Sequence, residues 1–461
     1  MNEIPAEVTG MIAKFVTSKT DLENMRLVSK SLLGAATIEL FSKQHILLPA
    51  LIEEPEILEN LENIISSSSL ARAVRHVKYT TSLEPHKTLD DYNNDEEWTQ
   101  FSTEMEDAIY LLNKFPNLTH LEIEFSCVCA MISPHDFSRT DPEENHEFRT
   151  QVLACIFAAL NDAEYPTPNL KSLTIKNLQN VNDEMLVRSE DFANVLKRIS
   201  ELRLQIVTEH DSASPERQWD FPEMHTFMEE LPKVWLEPAR ENLTALTIHM
   251  DDYWGYVPKC DLRSVYFPRL KRLELGNWTV THDWQIDWIL SHKDTLEELI
   301  MDECPVVRCM ENFGQLDAEK YPTNPSRCFG SKVAWRYGGR WSEIFRKMKE
   351  GLPRLKMLKF GAGQWRDGVN FDGEWRTIGM HENMYMVFDR GLGPSPWLEN
   401  QDEEDEKFDE ETEDDENGDG IDVEHAPRVV DGDEDTAAYL RLMAAIEQRR
   451  GAQLTSGDET Q

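Results

Sequence analysis

Leu118-Thr-His-Leu121-Glu-Ile123 and Leu170-Lys-Ser-Leu173-Thr-Ile175 share one spacing: apolar, two others, apolar, one other, apolar. The closing alternation is the period of a strand that turns every second side chain to one face. The spacing recurs at Val74/Val77/Tyr79, Ile199/Leu202/Leu204, Leu243/Leu246/Ile248, Leu270/Leu273/Leu275, Leu296/Leu299/Met301 and Leu355/Leu358/Phe360, eight units in all. One such unit arises readily by chance; eight across about 290 residues do not.

Burying one Leu or Ile is worth about 1.5–3 kcal/mol, so a three-residue set holds a strand only when neighbouring repeats cover it. The pattern is that of the strand segment of a leucine-rich repeat, in which successive strands pair into a curved parallel sheet. The intervals between first positions are 44, 52, 29, 44, 27, 26 and 59 residues, of which three are near a standard repeat length. The longer gaps hold insertions. One is a helical stretch from Glu147 to Leu160, with Phe148, Val152, Cys155, Ile156 and Ala159 at helical spacing; another is a loop from Asp251 to Leu262. The expected fold class is α/β, a leucine-rich-repeat-like solenoid.

Upstream of the repeats the period changes. Val8, Met11, Ile12, Phe15 and Val16 recur at helical spacing behind Pro5, whose fixed φ suits a helix start. Thr20-Asp-Leu-Glu23 is a capping-box pattern that opens a second helix with Leu22, Met25 and Leu27, and Ser29 caps a third carrying Leu33, Ala36, Leu40 and Phe41. Three helices this short cannot bury their stripes alone. The same stripes would serve an ordinary helical cap on a repeat domain.

Ile4-Pro5-Ala-Glu7, Asp21-Leu22, Arg26-Leu27-Val28-Ser29-Lys30, and Ala36-Thr37 through Leu40-Phe41 resemble an F-box of the form common among fungal proteins, over about a tenth of the chain. The resemblance implies a three-helix unit that packs on the Skp-type adaptor of a Skp-cullin-F-box ubiquitin ligase. The adaptor contacts it implies are Ile4, Pro5, Val8, Ile12, Leu22, Leu27 and Val28. It further implies a non-catalytic receptor: the repeat region binds a protein substrate and holds it near the ubiquitin-conjugating enzyme recruited by the cullin. The reading from another class is a non-catalytic repeat scaffold whose helices serve packing or a non-degradative complex.

Downstream, Trp278 to Trp397 is rich in Trp and Arg, the residues that dominate binding hot spots. Trp335, Arg336, Arg340, Trp341, Trp365, Arg366 and Trp375 are the candidate substrate-binding residues, with a core role for the tryptophans as the alternative. From Glu399 to Thr436 there are 20 acidic and 2 basic residues, a composition that cannot offset its ordering entropy and is expected to be disordered. Within it Asp415-Glu-Asn417-Gly-Asp419-Gly420 mimics the start of a calcium loop, but the twelfth position is Ala426 rather than Glu. Thr436 is the expected cap of a closing helix with Tyr439, Leu442, Met443 and Ile446 on one face, ending at Gly451. The expected domains are thus residues 1–48 (F-box), 49–398 (repeat region), 399–436 (acidic linker) and 437–461 (helix and tail).

The remaining composition narrows the class. A formal charge of −39, from 47 basic and 86 acidic residues, argues against nucleic acid or an anionic membrane as partner, since both need a basic patch. Met1 to Gly10 lacks the basic flank and apolar run of a signal peptide, and the longest apolar stretch, Val152 to Leu160, is too short to span a bilayer. The seven scattered cysteines fit reduced thiols buried in strands, without zinc-ligand spacing. An intracellular chain, cytoplasmic or nuclear or both, is expected. No P-loop, H-E-x-x-H or G-x-S-x-G motif is present, so neither a catalytic residue, nor a cofactor, nor a metal is expected. The glycosylation patterns at Asn117, Asn242 and Asn277 lie in or beside expected strands and read as chance matches.

Overall fold

Each of the eight apolar triplets becomes the root and body of a strand in the computed structural model, which describes residues 5–87, 99–130, 144–164, 167–209, 221–311, 315–323, 334–361, 384–389, 394–395 and 432–457. The strands are β2 (His76–Thr80), β3 (His120–Glu124), β4 (Ser172–Gln179), β5 (Glu201–Val207), β6 (Ala245–Trp254), β7 (Arg272–Trp278), β8 (Glu298–Asp302) and β11 (Met357–Gly361). In every case the first apolar residue sits two positions before the strand and the other two inside it. All 24 side chains are buried, the most exposed being Leu358 at 4%. The chain divides into two compact units, Met1–Gln205 and Ile206–Gln461, and the division falls within β5.

In the first unit the strands stand in sequence order and open with β1 (Lys43–Leu47), which no repeat signature marks. Parallel pairing places Ile46 opposite Tyr79, Val77 opposite Leu121 and Leu121 opposite Leu173, so the inward residues form ladders. Because β1 belongs to the sheet, the sheet begins inside the expected 1–48 segment. The helices behind it include α4 (Glu56–Ser66), α5 (Thr103–Tyr110), α6 (His146–Leu160) and α7 (Glu190–Arg198). The insertion expected to be helical from Glu147 is α6, and Phe148, Val152, Ile156 and Ala159 are buried on it.

Two polar devices finish this unit. Beyond the strand ends, Arg149 donates to the carbonyls of Ser126 (2.6 Å), Val128 (3.0 Å) and Asn177 (2.8 Å) and pairs with Glu144 at 3.1 Å. Glu144 also accepts from the Thr81 hydroxyl and the Ser126 N–H. Both charges are buried, so each is tolerated only because the other and these backbone groups satisfy it. On the sheet face opposite the ladders, Lys78 and Lys176 bracket Glu122 at 3.2 and 3.1 Å. Burial alone would raise the Glu122 carboxyl, but the two ammonium groups hold it below the usual range.

In the second unit β6, β7, β8 and β11 pair in parallel, aligning Leu246, Leu273, Leu299 and Leu358 in one ladder and Ile248, Leu275, Met301 and Phe360 in the next. Against them lie α8 (Pro222–Leu231), α9 (Asp283–Ser291) and α10 (Trp341–Gly351). A second sheet, unmarked by any repeat, has the order β10 (Ala334–Arg336), β9 (Val306–Glu311), β12 (Tyr385–Asp389), β13 (Pro394–Ser395). The expected loop from Asp251 is in part strand, since β6 runs to Trp254.

One device occurs in both units. Asn177 and Asn277 each follow the last inward residue of a strand by two positions and take the left-handed conformation at φ 58°, which Asn tolerates better than most residues. Each amide donates to a carbonyl of the neighbouring chain segment, Phe125 just past β3 at 2.7 Å and Met250 within β6 at 2.8 Å. The buried role of Asn277 leaves no place for a glycan. Cys129, Cys155, Cys260 and Cys304 are buried and Cys127 is half-buried, all as free thiols. None of these five lies in a strand, contrary to expectation, whereas Cys309 does, on β9, and Cys328 lies outside the described residues; Cys155 is on α6, where burial pushes its thiol up to about 12.

The closing helix, α11, spans Gly432–Gly457. It starts before Thr436 and passes Gly451, so the expected cap and end both fall inside it. The acidic residues Asp433, Glu434 and Asp435, assigned from composition to the linker, lie in its first turn. The rest of the expected acidic linker, with its calcium-like loop, lies outside the described residues.

Candidate functional site

Three short helices open the first unit: α1 (Ala6–Lys14), α2 (Lys19–Val28) and α3 (Lys30–Phe41). Pro5 stands at the N-cap of α1. The Ser29 hydroxyl caps α3, accepting from Leu32 N–H at 3.3 Å. The cap of α2 is Ser18, which accepts from Asp21 N–H at 3.3 Å, and not Thr20. Ser18 and Thr20 both precede an acidic residue by three, so the local signal is shared between them.

A small interior holds the helices together. Ala13, Leu22 and Ala36 are its buried centre, with Val16, Met25, Ala35 and Leu40 packed around it. Leu22 and Met25, three apart on α2, both turn inward. Leu27 is five residues from Leu22, about 140° round the helix, and Val28 lies further round, so both point out. Arg26 lies over the Phe41 ring at 5.8 Å.

What remains outside is unusually apolar. On α1 the inward positions are Thr9 and Ala13, while Val8 (42% exposed), Met11 (61%), Ile12 (43%) and Phe15 (83%) face solvent. On α2, Leu27 and Val28 are 85% and 74% exposed. Such a helix, apolar on both sides, is ordinarily covered on both. Val8, Met11, Ile12 and Phe15 share one side at helical spacing, and they and the exposed pair on α2 are the candidate docking residues.

Of the seven residues expected at an adaptor, Pro5, Val8, Ile12, Leu27 and Val28 are exposed here. Leu22 is not: it is the centre of the helical interior, and its contribution is to fold the unit. Ile4 lies outside the described residues. Met11 and Phe15 were absent from the candidate residues, although their spacing from Val8, three and seven residues, places them on its face.

The second candidate surface divides. Trp335 and Arg336 are half-buried on β10, where Trp335 packs beside His282 (4.7 Å between ring centres), Tyr256 (6.0 Å) and Tyr337 (6.3 Å). Arg340 is half-exposed at the N-cap of α10. Trp341, in contrast, is fully buried against Phe345 and Phe360, and its indole N–H donates to the Met384 carbonyl at 2.9 Å. It is a core residue and offers nothing to a partner. Trp365, Arg366 and Trp375 lie outside the described residues.

Among the described residues no group of three His, Cys, Asp or Glu could hold a metal ion, and no helix is long and apolar enough to cross a membrane. Neither a protein-family model nor a curated protein matches the chain.

Proposed function

We propose that the chain is the substrate-recognition subunit of a Skp-cullin-F-box ubiquitin ligase. In this reading the N-terminal helices are an F-box docked on a Skp-type adaptor, and the parallel sheet is the core of a leucine-rich-repeat-like solenoid that binds a protein substrate. The single observation that carries it is the uncovered apolar face of α1 and α2, where Met11, Phe15, Leu27 and Val28 are each more than 60% exposed. A packing-only role for these helices would leave that face covered, because exposed apolar area of this kind marks an interaction site. The adaptor contacts are accordingly Pro5, Val8, Ile12, Leu27 and Val28, joined by Met11 and Phe15, with Leu22 holding the helices in register beneath them.

The receptor has no catalytic residue; it acts by proximity, raising the effective concentration of substrate at the ubiquitin-conjugating enzyme. Its place is inside the cell, where the adaptor and cullin are. In this reading substrate contact falls to Trp335, Arg336 and Arg340, each partly exposed. The test is co-purification of the full chain with a Skp-type adaptor, beside a Pro5→Ala/Leu27→Asp variant whose fold is checked by circular dichroism. Stoichiometric binding lost in the folded variant supports the receptor. A folded wild type that binds no adaptor refutes it.

A further inference from the structure

Each unit carries a row of residues at the mouths of its parallel strands, at the position directly after the first apolar residue of each repeat. In the second unit the Lys271 N–H donates to the Thr244 carbonyl (2.8 Å), Glu297 to Lys271 (2.8 Å) and Lys356 to Glu297 (2.7 Å). In the first unit the same stitch runs from Arg75 to Ser42 (2.9 Å), Thr119 to Arg75 (2.8 Å), Lys171 to Thr119 (2.9 Å) and Ser200 to Lys171 (2.8 Å). Lys271, Glu297 and Lys356 thus have Arg75, Thr119 and Lys171 as their counterparts.

Charge separates the two rows. Glu297 stands between two lysines and meets Lys356 Nζ at 2.6 Å. That bond, with Lys271 and Arg354 near by, holds its carboxyl below the usual range. Thr119 stands between two cations without a charge of its own; its hydroxyl donates to the Arg75 carbonyl at 3.0 Å and lies 2.8 Å from His120 Nδ1. Adjacent strands are about 4.8 Å apart, so Arg75 and Lys171 start about 10 Å apart across this neutral residue.

The surrounding residues do not supply the missing carboxylate. Lys43, which opens β1 opposite His76, and Arg72, whose carbonyl accepts from the Asn117 amide at 2.7 Å, extend the patch. Lys43, Arg72, Arg75 and Lys171 are all exposed, and among the described residues none of them pairs with a carboxylate. Glu201 opens β5 beside Lys171 but makes no ion pair with it. On the adjoining sheet face Glu122 and Glu124 are already matched by Lys78 and Lys176. In a chain of net charge −39, four uncompensated cations at consecutive strand entries are an exception.

We propose that the strand entries of the first unit dock an acidic segment of another protein, one of whose carboxylates takes, between Arg75 and Lys171, the place that Glu297 holds between its own lysines. Lys43 and Arg72 receive further carboxylates of the same segment. A protein acid fits the row better than nucleic acid does, because the built-in counterpart is a carboxylate and a long phosphate chain would run on past the four cations to Glu122 and Glu124. The Debye length is about 8 Å at physiological salt, so a short segment responds to these cations more than to the net charge of the chain. The site lies outside α1, α2 and α3 and is independent of the adaptor reading.

The test uses the full chain and a fluorescein-labelled dodecaglutamate peptide, followed by anisotropy, with a single-stranded oligonucleotide of the same length for comparison and circular dichroism to verify folding. Wild type should bind the peptide and lose that binding at least ten-fold as salt rises from about 50 to about 500 mM. Thr119→Glu supplies the carboxylate from within and should weaken binding five-fold or more, whereas Thr119→Gln should stay within two-fold of wild type. Arg75→Gln/Lys171→Gln should also lose five-fold or more. Lys233→Glu/Lys349→Glu, exposed elsewhere, should not, although it changes the net charge further. Failure of folded wild type to bind the peptide, equal binding by Thr119→Glu and Thr119→Gln, an equal loss in the Lys233/Lys349 variant, or tighter binding of the oligonucleotide than of the peptide would each overturn the proposal.

Discussion

Two leucines five residues apart on α2 should respond to the same substitution in opposite ways. Leu22 is 6% exposed at the centre of the helical interior, and Leu27 is 85% exposed on the docking face. Leu22→Ala deletes buried methyl groups beside Ala13 and Ala36, neighbours too small to fill the space, so it should cost about 2–5 kcal/mol of stability. Leu27→Ala touches no packed neighbour and should stay within about 0.5 kcal/mol of wild type. At the adaptor the order reverses. An exposed leucine that becomes buried there contributes about 1.5–3 kcal/mol. Since 1.4 kcal/mol is a factor of ten, Leu27→Ala should weaken adaptor binding by roughly one to two orders of magnitude. Leu22→Ala, wherever it remains folded, should weaken it less. Thermal melts followed by circular dichroism and titration calorimetry against a Skp-type adaptor give the two readouts. The reasoning fails if Leu27→Ala melts as low as Leu22→Ala, or if it binds the adaptor within two-fold of wild type.

The interior makes further predictions. Arg149→Met or Glu144→Gln alone should cost about 3–5 kcal/mol by leaving one buried charge and its backbone partners unmatched, and the double replacement should cost less than the sum; urea titration of the four chains reads this, and strict additivity would refute the coupling. His292 is buried, its Nδ1 facing the Trp288 carbonyl at 3.0 Å and its Nε2 accepting from Phe267 N–H at 3.3 Å, and burial lowers its pKa despite the backbone bonds that oppose the shift. Below the ordinary histidine pKa of about 6.5 the unfolded chain therefore binds the proton that the folded chain refuses, so stability falls with pH. His292→Gln should show a smaller loss of urea midpoint between pH 7.5 and 5.5, and an unchanged loss would contradict the assignment. Asn277→Ala should cost about 1–3 kcal/mol, because it removes the amide bonded to the Met250 carbonyl and puts Ala in a left-handed conformation; Asn277→Gly should recover the backbone part of that loss in the same titration.

Leucine spacing made the main sheets legible because each strand carries the whole signal locally: a root residue, then two inward positions. The strand β1 escaped notice because Lys43-Gln-His-Ile46-Leu offers a single clear inward position. The second sheet has no repeat at all, and its strands are set by pairing partners up to 79 residues apart, as Val306 with Tyr385. The motif resemblance grouped Leu22 with Val8, Ile12 and Leu27, yet Leu22 is buried and the other three are exposed; the sequence could not separate them, since both sides of α2 are apolar. Trp341 did carry a warning. With Ile344, Phe345 and Met348 it forms a stripe at three, four and seven residues, the signature of a packed helix side, while Trp335 in a short strand has none. The service Asp435 performs for Ser342, 93 residues away, leaves no local trace.

In the first unit, spatial order repeats sequence order, each strand laid beside the one synthesised just before it. A chain emerging from the ribosome can therefore build this sheet by accretion, every new strand finding a template already standing and none waiting for a distant partner. The second unit breaks the rule twice: β8 must wait for β11, 55 residues later, and β9, which departs with β10 into another sheet, must wait for β12. Helix α11 comes later still, and until it is released the Ser342 N–H at the start of α10 lacks its Asp435 acceptor, so that the helix emerges from the ribosome before the group that caps it.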